Sequence, residues 1–113
     1  MQESPIFTRT YDLLLWLIPQ VQKFPRAHRF GLAERIQRLT LDFQDTLVAA
    51  GKMEGTARRK QLINADIQLE QLRVWARLAR DLQCLSLRQY EHLARMLAEV
   101  GRLLGGWLKS HSE

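Results

Sequence analysis

The chain has 113 residues, the length of one domain, and at 46% hydrophobic it can bury one core. Lys and Arg total 17 against 12 Asp and Glu, a formal charge of +5, and most of the cations are Arg. The single cysteine, Cys84, excludes an internal disulfide and fits a reducing cytoplasm, while the longest apolar run, residues 13–18, falls far short of the roughly 20 residues of a membrane span. The opening MQESPIF has no basic, then apolar, leader pattern, so the expectation is a soluble cytoplasmic protein with one domain over residues 1–113. A domain this small buries a modest share of its surface, which favours self-association.

Four helical segments follow one another. Ser4-Pro5 reads as an N-cap with Pro at the first helical position; Phe7, Leu14, Trp16, Leu17 and Val21 follow. Pro19 predicts a kink or an early end, because it removes a backbone hydrogen bond. Phe24-Pro25 forces a link. The second helix is predicted from about residue 27 or 30 to residue 50. Leu32, Ile36, Leu39, Phe43 and Leu47 form its apolar stripe, with Arg29, Glu34, Arg38, Asp42 and Asp45 opposite and Gly51 as the stop. A short loop over 51–55 turns the chain back. The third helix is predicted from Thr56, a possible N-cap, to about Cys84, with Leu62, Ile63, Leu69, Leu72, Trp75, Ala76, Leu78 and Leu82 as its apolar surface. Ser86 and Gln89 have the spacing of a capping box that opens the fourth helix. That helix carries Leu87, Tyr90, Leu93, Ala94, Leu97, Val100, Leu104 and Leu108. No strand-like alternation occurs. The predicted fold is all-α: an antiparallel up-down-up-down four-helix bundle.

Catalytic and metal chemistry find little support. His28, His92 and His111 lack Cys or carboxylate partners at ligand spacing, and the paired Glu-x-x-His pattern of di-iron bundles is missing. Cys84 has no evident His partner, no Ser sits in a Gly-x-Ser-x-Gly elbow, and no phosphate-cradling Gly-rich loop precedes a helix. The expectation is a non-enzyme with no cofactor and no metal.

The arginines carry more. Arg73, Arg77 and Arg80 share a face of the third helix, and Arg88, Arg95 and Arg102 recur every seven residues on the fourth. Arg58, Arg59 and Lys60 open the third helix. Lys23, Arg26, Arg29, Arg35 and Arg38 gather about the start of the second, with only Glu34 set against them. Taken singly, each reads as a solvated residue with a helical-neighbour ion pair, such as Glu70 with Arg73 or Arg77 with Asp81. Taken together they read as a phosphate-contacting surface, since Arg presents a planar donor fork suited to phosphate. The predicted nucleic-acid-binding set is Arg26, Arg29, Arg35, Arg38, Arg58, Arg59, Lys60, Arg73, Arg77 and Arg80. Trp16, Trp75 and Trp107 sit among aliphatic residues at helical spacing and read as core or subunit contacts. Binding would then be sequence-tolerant and strongly salt-dependent. The competing reading is a protein scaffold whose Arg residues pair with acids on neighbouring subunits.

Several segments resemble a known family. They are Phe24-Pro25 with Arg29-Phe30-Gly31-Leu32 and Arg35-Ile36; Leu78-Ala79-Arg80-Asp81-Leu82 with Leu85-Ser86 and Gln89-Tyr90-Glu91; and Glu99-Val100-Gly101 with Gly105-Gly106-Trp107-Leu108-Lys109. From about Ile6 to Lys109 the chain resembles the accessory variability determinants of diversity-generating retroelements, and a phage-encoded member among them. The wider family includes four-helix proteins encoded within 23S ribosomal RNA genes; their Trp-Gln-Lys signature is absent here, where Leu17 follows Trp16. The resemblance implies a homopentameric barrel with a basic surface. It also implies association with the retroelement's reverse transcriptase and with template RNA or cDNA, in support of mutagenic retrohoming in a bacterial host cell.

Overall fold

The computed structural model describes residues 4–111. Met1, Gln2 and Glu3, within the stretch read for a leader, and Ser112 and Glu113, at the end of the expected domain, lie outside the described residues. Four helices and no strand make up the described chain: α1 (Pro5–Gln22), α2 (Glu34–Lys52), α3 (Gly55–Asp81) and α4 (Leu87–Lys109).

Helix α1 starts at Pro5, where the missing N–H would have had no partner in any case. Ser4 serves through its carbonyl, which accepts from Phe7 N–H at 3.1 Å; its hydroxyl makes no cap bond. The early end expected at Pro19 does not occur, and α1 continues to Gln22. Pro19 is exposed, and the acceptor it leaves without a donor is the carbonyl of Leu15, a residue 61% exposed. Water can take the place of the lost N–H on that outer side, which makes an interior proline tolerable. Phe24, completely buried, then pins the corner.

The second helix begins later than the sequence suggests. A 3₁₀ turn (Arg26–His28) and a π-helical turn (Arg29–Ala33) lead into α2. Ile36, Leu39, Phe43 and Leu47 are buried as the stripe requires. Gly51 does not stop the helix, which runs on to Lys52. Its bareness instead makes room for α1: a methyl group at Gly51 would lie 3.2 Å from Phe7 Cζ. The turn to α3 is therefore only Met53-Glu54. Helix α3 opens at Gly55, whose φ of +59° favours glycine, rather than at Thr56.

Helix α3 has 27 residues, about 40 Å at 1.5 Å per residue, and nearly spans the 44 Å length of the molecule. It ends at Asp81, three residues before Cys84, in a Schellman turn. Cys84 N–H reaches back to Ala79 O at 2.8 Å and Gln83 N–H to Arg80 O at 2.9 Å, with Gln83 left-handed at φ 64°. Helix α4 opens as expected. Ser86 Oγ accepts from Gln89 N–H at 3.1 Å, and Gln89 Oε1 accepts from Ser86 N–H at 2.8 Å.

Helix α2 packs along α3, α3 along α4, and α1 against both α2 and α4. Each helix therefore has two neighbours around one core, with α2 and α4 diagonally opposed. Ile6, Leu13, Leu17, Phe43, Leu62, Leu69, Leu72, Leu93 and Leu104 are among its fully buried side chains. Trp16, Trp75 and Trp107 are half-buried against it, as their spacing implied. Ile63, Leu78, Leu82 and Leu87, expected on the apolar surface, are exposed at 37–65%. Helix α3 carries more apolar residues than one inward stripe can hold. Ile63, Ile67, Val74 and Leu78 form a second stripe facing out. Among the described residues no helix is long and apolar enough to cross a membrane.

Candidate nucleic-acid interface

The ten predicted cations part into groups with different surroundings. Arg58 and Arg59 are occupied by main-chain acceptors. Arg58 Nε donates to Ala50 O at 2.9 Å and Nη2 to Gly51 O at 3.4 Å, so this side chain caps the C-terminal end of α2. Its guanidinium also lies over Trp107, 5.7 Å from the ring centroid, while Trp107 meets Phe7 edge-on at 5.9 Å. Arg59 Nη1 donates to His111 O at 2.8 Å. Lys60, one residue on, is exposed.

The group at the start of α2 is not the uniform basic cluster that the sequence suggested. Arg29 folds back onto Phe24 O, at 3.4 Å from Nε and 3.3 Å from Nη2, and braces the corner. Arg26 and Arg35 are exposed. Arg38 lines a hollow of about 430 Å³ together with Glu34, Asp42 and Asp45. Spacings of four, four and three residues put all four on one outward face of α2. One guanidinium against three carboxylates is a poor seat for phosphate, so the opposing charge is not Glu34 alone.

Arg73 and Arg77 line a groove between α3 and α4 of about 330 Å³, and Arg80 joins them at one end through its contact with the lining residue Tyr90. Its floor and walls are Val74, Ala76, Ala94, Leu97 and Ala98, with Tyr90 and Glu70 toward the ends. The small side chains Ala94 and Ala98, four residues apart on α4, leave the trough open. Arg73 is held by Glu70, Nη1 to Oε1 at 3.2 Å, and lies across α4 at Gly101, where any side chain would collide with Nη2. Arg80 is held by Asp81, Nε to Oδ1 at 2.9 Å, and its guanidinium stacks over Tyr90 at 4.7 Å. The bond from Asp81 raises the Arg80 pKa above its ordinary value against a smaller cost of desolvation. The anticipated Glu70–Arg73 pair forms, whereas Asp81 takes Arg80 rather than Arg77. Arg77, in the middle, has no hydrogen-bond or ion-pair partner among the described residues.

On α4, Arg102 pairs with Glu99 through two contacts of 3.1 and 2.8 Å, and that pairing holds the Glu99 carboxyl below its usual range. Arg95 lines a smaller hollow of about 230 Å³ with Arg9, Asp12, His92, Met96 and Glu99. Cys84 is half-buried, and burial pushes its thiol up, away from reactivity. Among the described residues no group of three or more His, Cys, Asp or Glu gathers to hold a metal ion.

Tyr90 and the alanine trough are the parts of this site that reading the arginines alone passes over. The signal was present in the Ala94/Ala98 spacing opposite Val74 and Arg77, but it has meaning only once α3 and α4 are known to be neighbours.

No curated protein matches the chain. The family model described as bAvd-like matches residues 5–111, nearly the full length and all four helices. The chain thus belongs to the bAvd-like family, the accessory-protein type that its sequence resembles.

Proposed function

We propose that this chain is a non-catalytic accessory factor of a diversity-generating retroelement, and that it binds nucleic acid through the α3–α4 groove. In this reading it associates with the retroelement's reverse transcriptase and with template RNA or cDNA, in support of mutagenic retrohoming in the cytoplasm of a bacterial host. The element would be phage-borne. The helices run up-down-up-down as an antiparallel bundle, and copies assemble into a homopentameric barrel. Support for the topology comes from the end pairings: Phe7 near the start of α1 meets Trp107 near the end of α4, and Gln20 near the end of α1 meets Gln89 near the start of α4 at 3.3 Å.

The observation that carries nucleic-acid binding is Arg77, a guanidinium with no ion-pair partner among the described residues, set between two that are held in place. Held arginines lose little conformational freedom when they meet phosphate, and the unpaired one supplies uncompensated charge. Arg26, Arg35 and Lys60 are exposed and open to further phosphate contacts. Arg58, Arg59 and Arg29 hold the fold instead, and Arg38 sits among acids.

The test compares two sets of changes in an RNA-binding titration. Replacing Arg73, Arg77 and Arg80 by Gln together should weaken binding at least ten-fold, as expected for the loss of three phosphate contacts. Replacing Arg38 by Gln should leave binding near wild type. Wild-type affinity in the triple variant would sink the groove as the binding face. Co-purification of the reverse transcriptase with each variant then separates polymerase docking from RNA binding.

A second reading has its own observation. The acidic outer face of α2, with Glu34, Asp42 and Asp45, complements the basic face of α3. Copies of the chain could use these faces to pair arginines with carboxylates between subunits.

A further inference from the structure

The α3–α4 groove has features that a purely phosphate-binding surface does not need. A surface that reads only backbone charge needs cations and no apolar floor. Here the cations stand at the rim of a trough whose floor is apolar: Val74, Leu97 and the methyl groups of Ala94 and Ala98. At about 330 Å³ the trough lies near the lower end of the roughly 300–1,000 Å³ range of small-ligand clefts. It is large enough for one flat heterocycle with its sugar and far too small for a double helix.

The two ends differ in chemistry. At one end is the Tyr90 ring, backed by the Arg80 guanidinium at 4.7 Å; the pair offers a flat, polarised surface. At the other is the Glu70–Arg73 pair, which presents acceptor and donor atoms side by side. Arg77 stands between them with no hydrogen-bond or ion-pair partner among the described residues. Arg73 to Arg80 spans seven residues, about 10 Å along the helix.

We infer that this groove is a binding subsite for one unpaired nucleotide of a single-stranded nucleic acid, with the base in the apolar trough against Tyr90 and its phosphate on Arg77. The inference rests on the proposed nucleic-acid reading and narrows it from nucleic acid in general to single strands. A base in a duplex has both faces stacked and its edge paired, so a duplex meets only the rim arginines and leaves the trough unused. An unpaired base can enter and gain the stacking contact, which is tolerant of base identity because every base has a π-face.

The experiment is an anisotropy titration with a fluorescein-labelled single-stranded RNA of about a dozen nucleotides, within the site sizes known for single-strand binders, and with the same strand annealed to its complement. Ala98 is exposed, so Ala98→Leu fills the trough without disturbing the core; Ala94→Leu/Ala98→Leu fills it further. Thermal unfolding identifies any variant that has lost its fold. The wild type should prefer the single strand by roughly ten-fold, the size of one base stack. Ala98→Leu should remove most of that preference and leave duplex affinity unchanged. Arg77→Gln should weaken both ligands and flatten the salt dependence by about one phosphate contact. Equal affinity for both forms, or a folded Ala98→Leu variant with the wild-type preference intact, overturns the subsite and leaves the wider nucleic-acid reading standing. Failure of the wild type to bind either RNA at low salt overturns both.

Discussion

At the scale of single residues, Arg58 separates two kinds of arginine that share one charge. The sequence presents Arg58-Arg59-Lys60 as a basic run, and nothing in the run says which members face solvent. The end of α2 decides it. The last carbonyls of a helix have no intrahelical donor, and Arg58 reaches two of them, at Ala50 and Gly51, while covering Trp107. Arg58→Ala should therefore destabilise the protein by about 1–2 kcal/mol, the scale of a charged hydrogen bond and a cation–π contact, read from the urea midpoint at constant slope. Arg58→Lys keeps the charge but has no planar fork and should recover less than half of the loss. RNA affinity, measured well below the melting temperature, should fall no more than two- to three-fold, the effect of one general positive charge. A large loss of RNA binding with unchanged stability would move Arg58 back to the ligand face. The same distinction runs through Arg29, which braces Phe24 O, and Arg77, which braces nothing.

At the scale of elements, the chain's local signals were readable wherever the partners lie close in sequence. Ser86 and Gln89 announce the start of α4, and both reciprocal bonds form. The stripe on α2 is buried where its period places it. Pro19 and Gly51 misled because their meaning is set by distant chain. Pro19 is harmless since its side of α1 faces water, and Gly51 is small because Phe7 needs the space. The end of α3 was unreadable for another reason: a Schellman turn usually has Gly or Asn in its left-handed position, and here it has Gln83. Opposite substitutions on the two sides of this α3–α4 turn should consequently have opposite signs. Ser86→Ala removes the cap and should cost about 1 kcal/mol. Gln83→Gly relieves a left-handed side chain and should stabilise by about 0.5–1 kcal/mol. Both are exposed, so packing does not confuse the comparison, and paired urea melts suffice. A destabilising Gln83→Gly would mean that the turn is held by contacts of the glutamine side chain rather than by its backbone.

At the scale of the whole molecule, the net charge of +5 hides an uneven distribution, and that unevenness sets the two readings of the arginines against each other. If the basic face of α3 meets the acidic face of α2 on a neighbouring copy, salt should dissolve the assembly. Exposed ion pairs contribute only about 0–1 kcal/mol each, and Glu70, Asp81 and Glu99 are already engaged within their own helices. The outward stripe of Ile63, Ile67, Val74 and Leu78 offers a contact of the other kind, one that salt does not weaken. The expectation is that light scattering returns an unchanged multimeric mass as salt rises from about 50 to 200 mM, while RNA affinity falls steeply over the same range. Ile67→Glu should lower the mass at every salt concentration, and Asp42→Asn/Asp45→Asn should not change it. If the mass instead collapses with rising salt, and the two aspartate changes reproduce that collapse at low salt, the arginines belong to contacts between subunits. RNA affinity would then follow assembly, not groove chemistry, and would be lost in the same variants that lose mass.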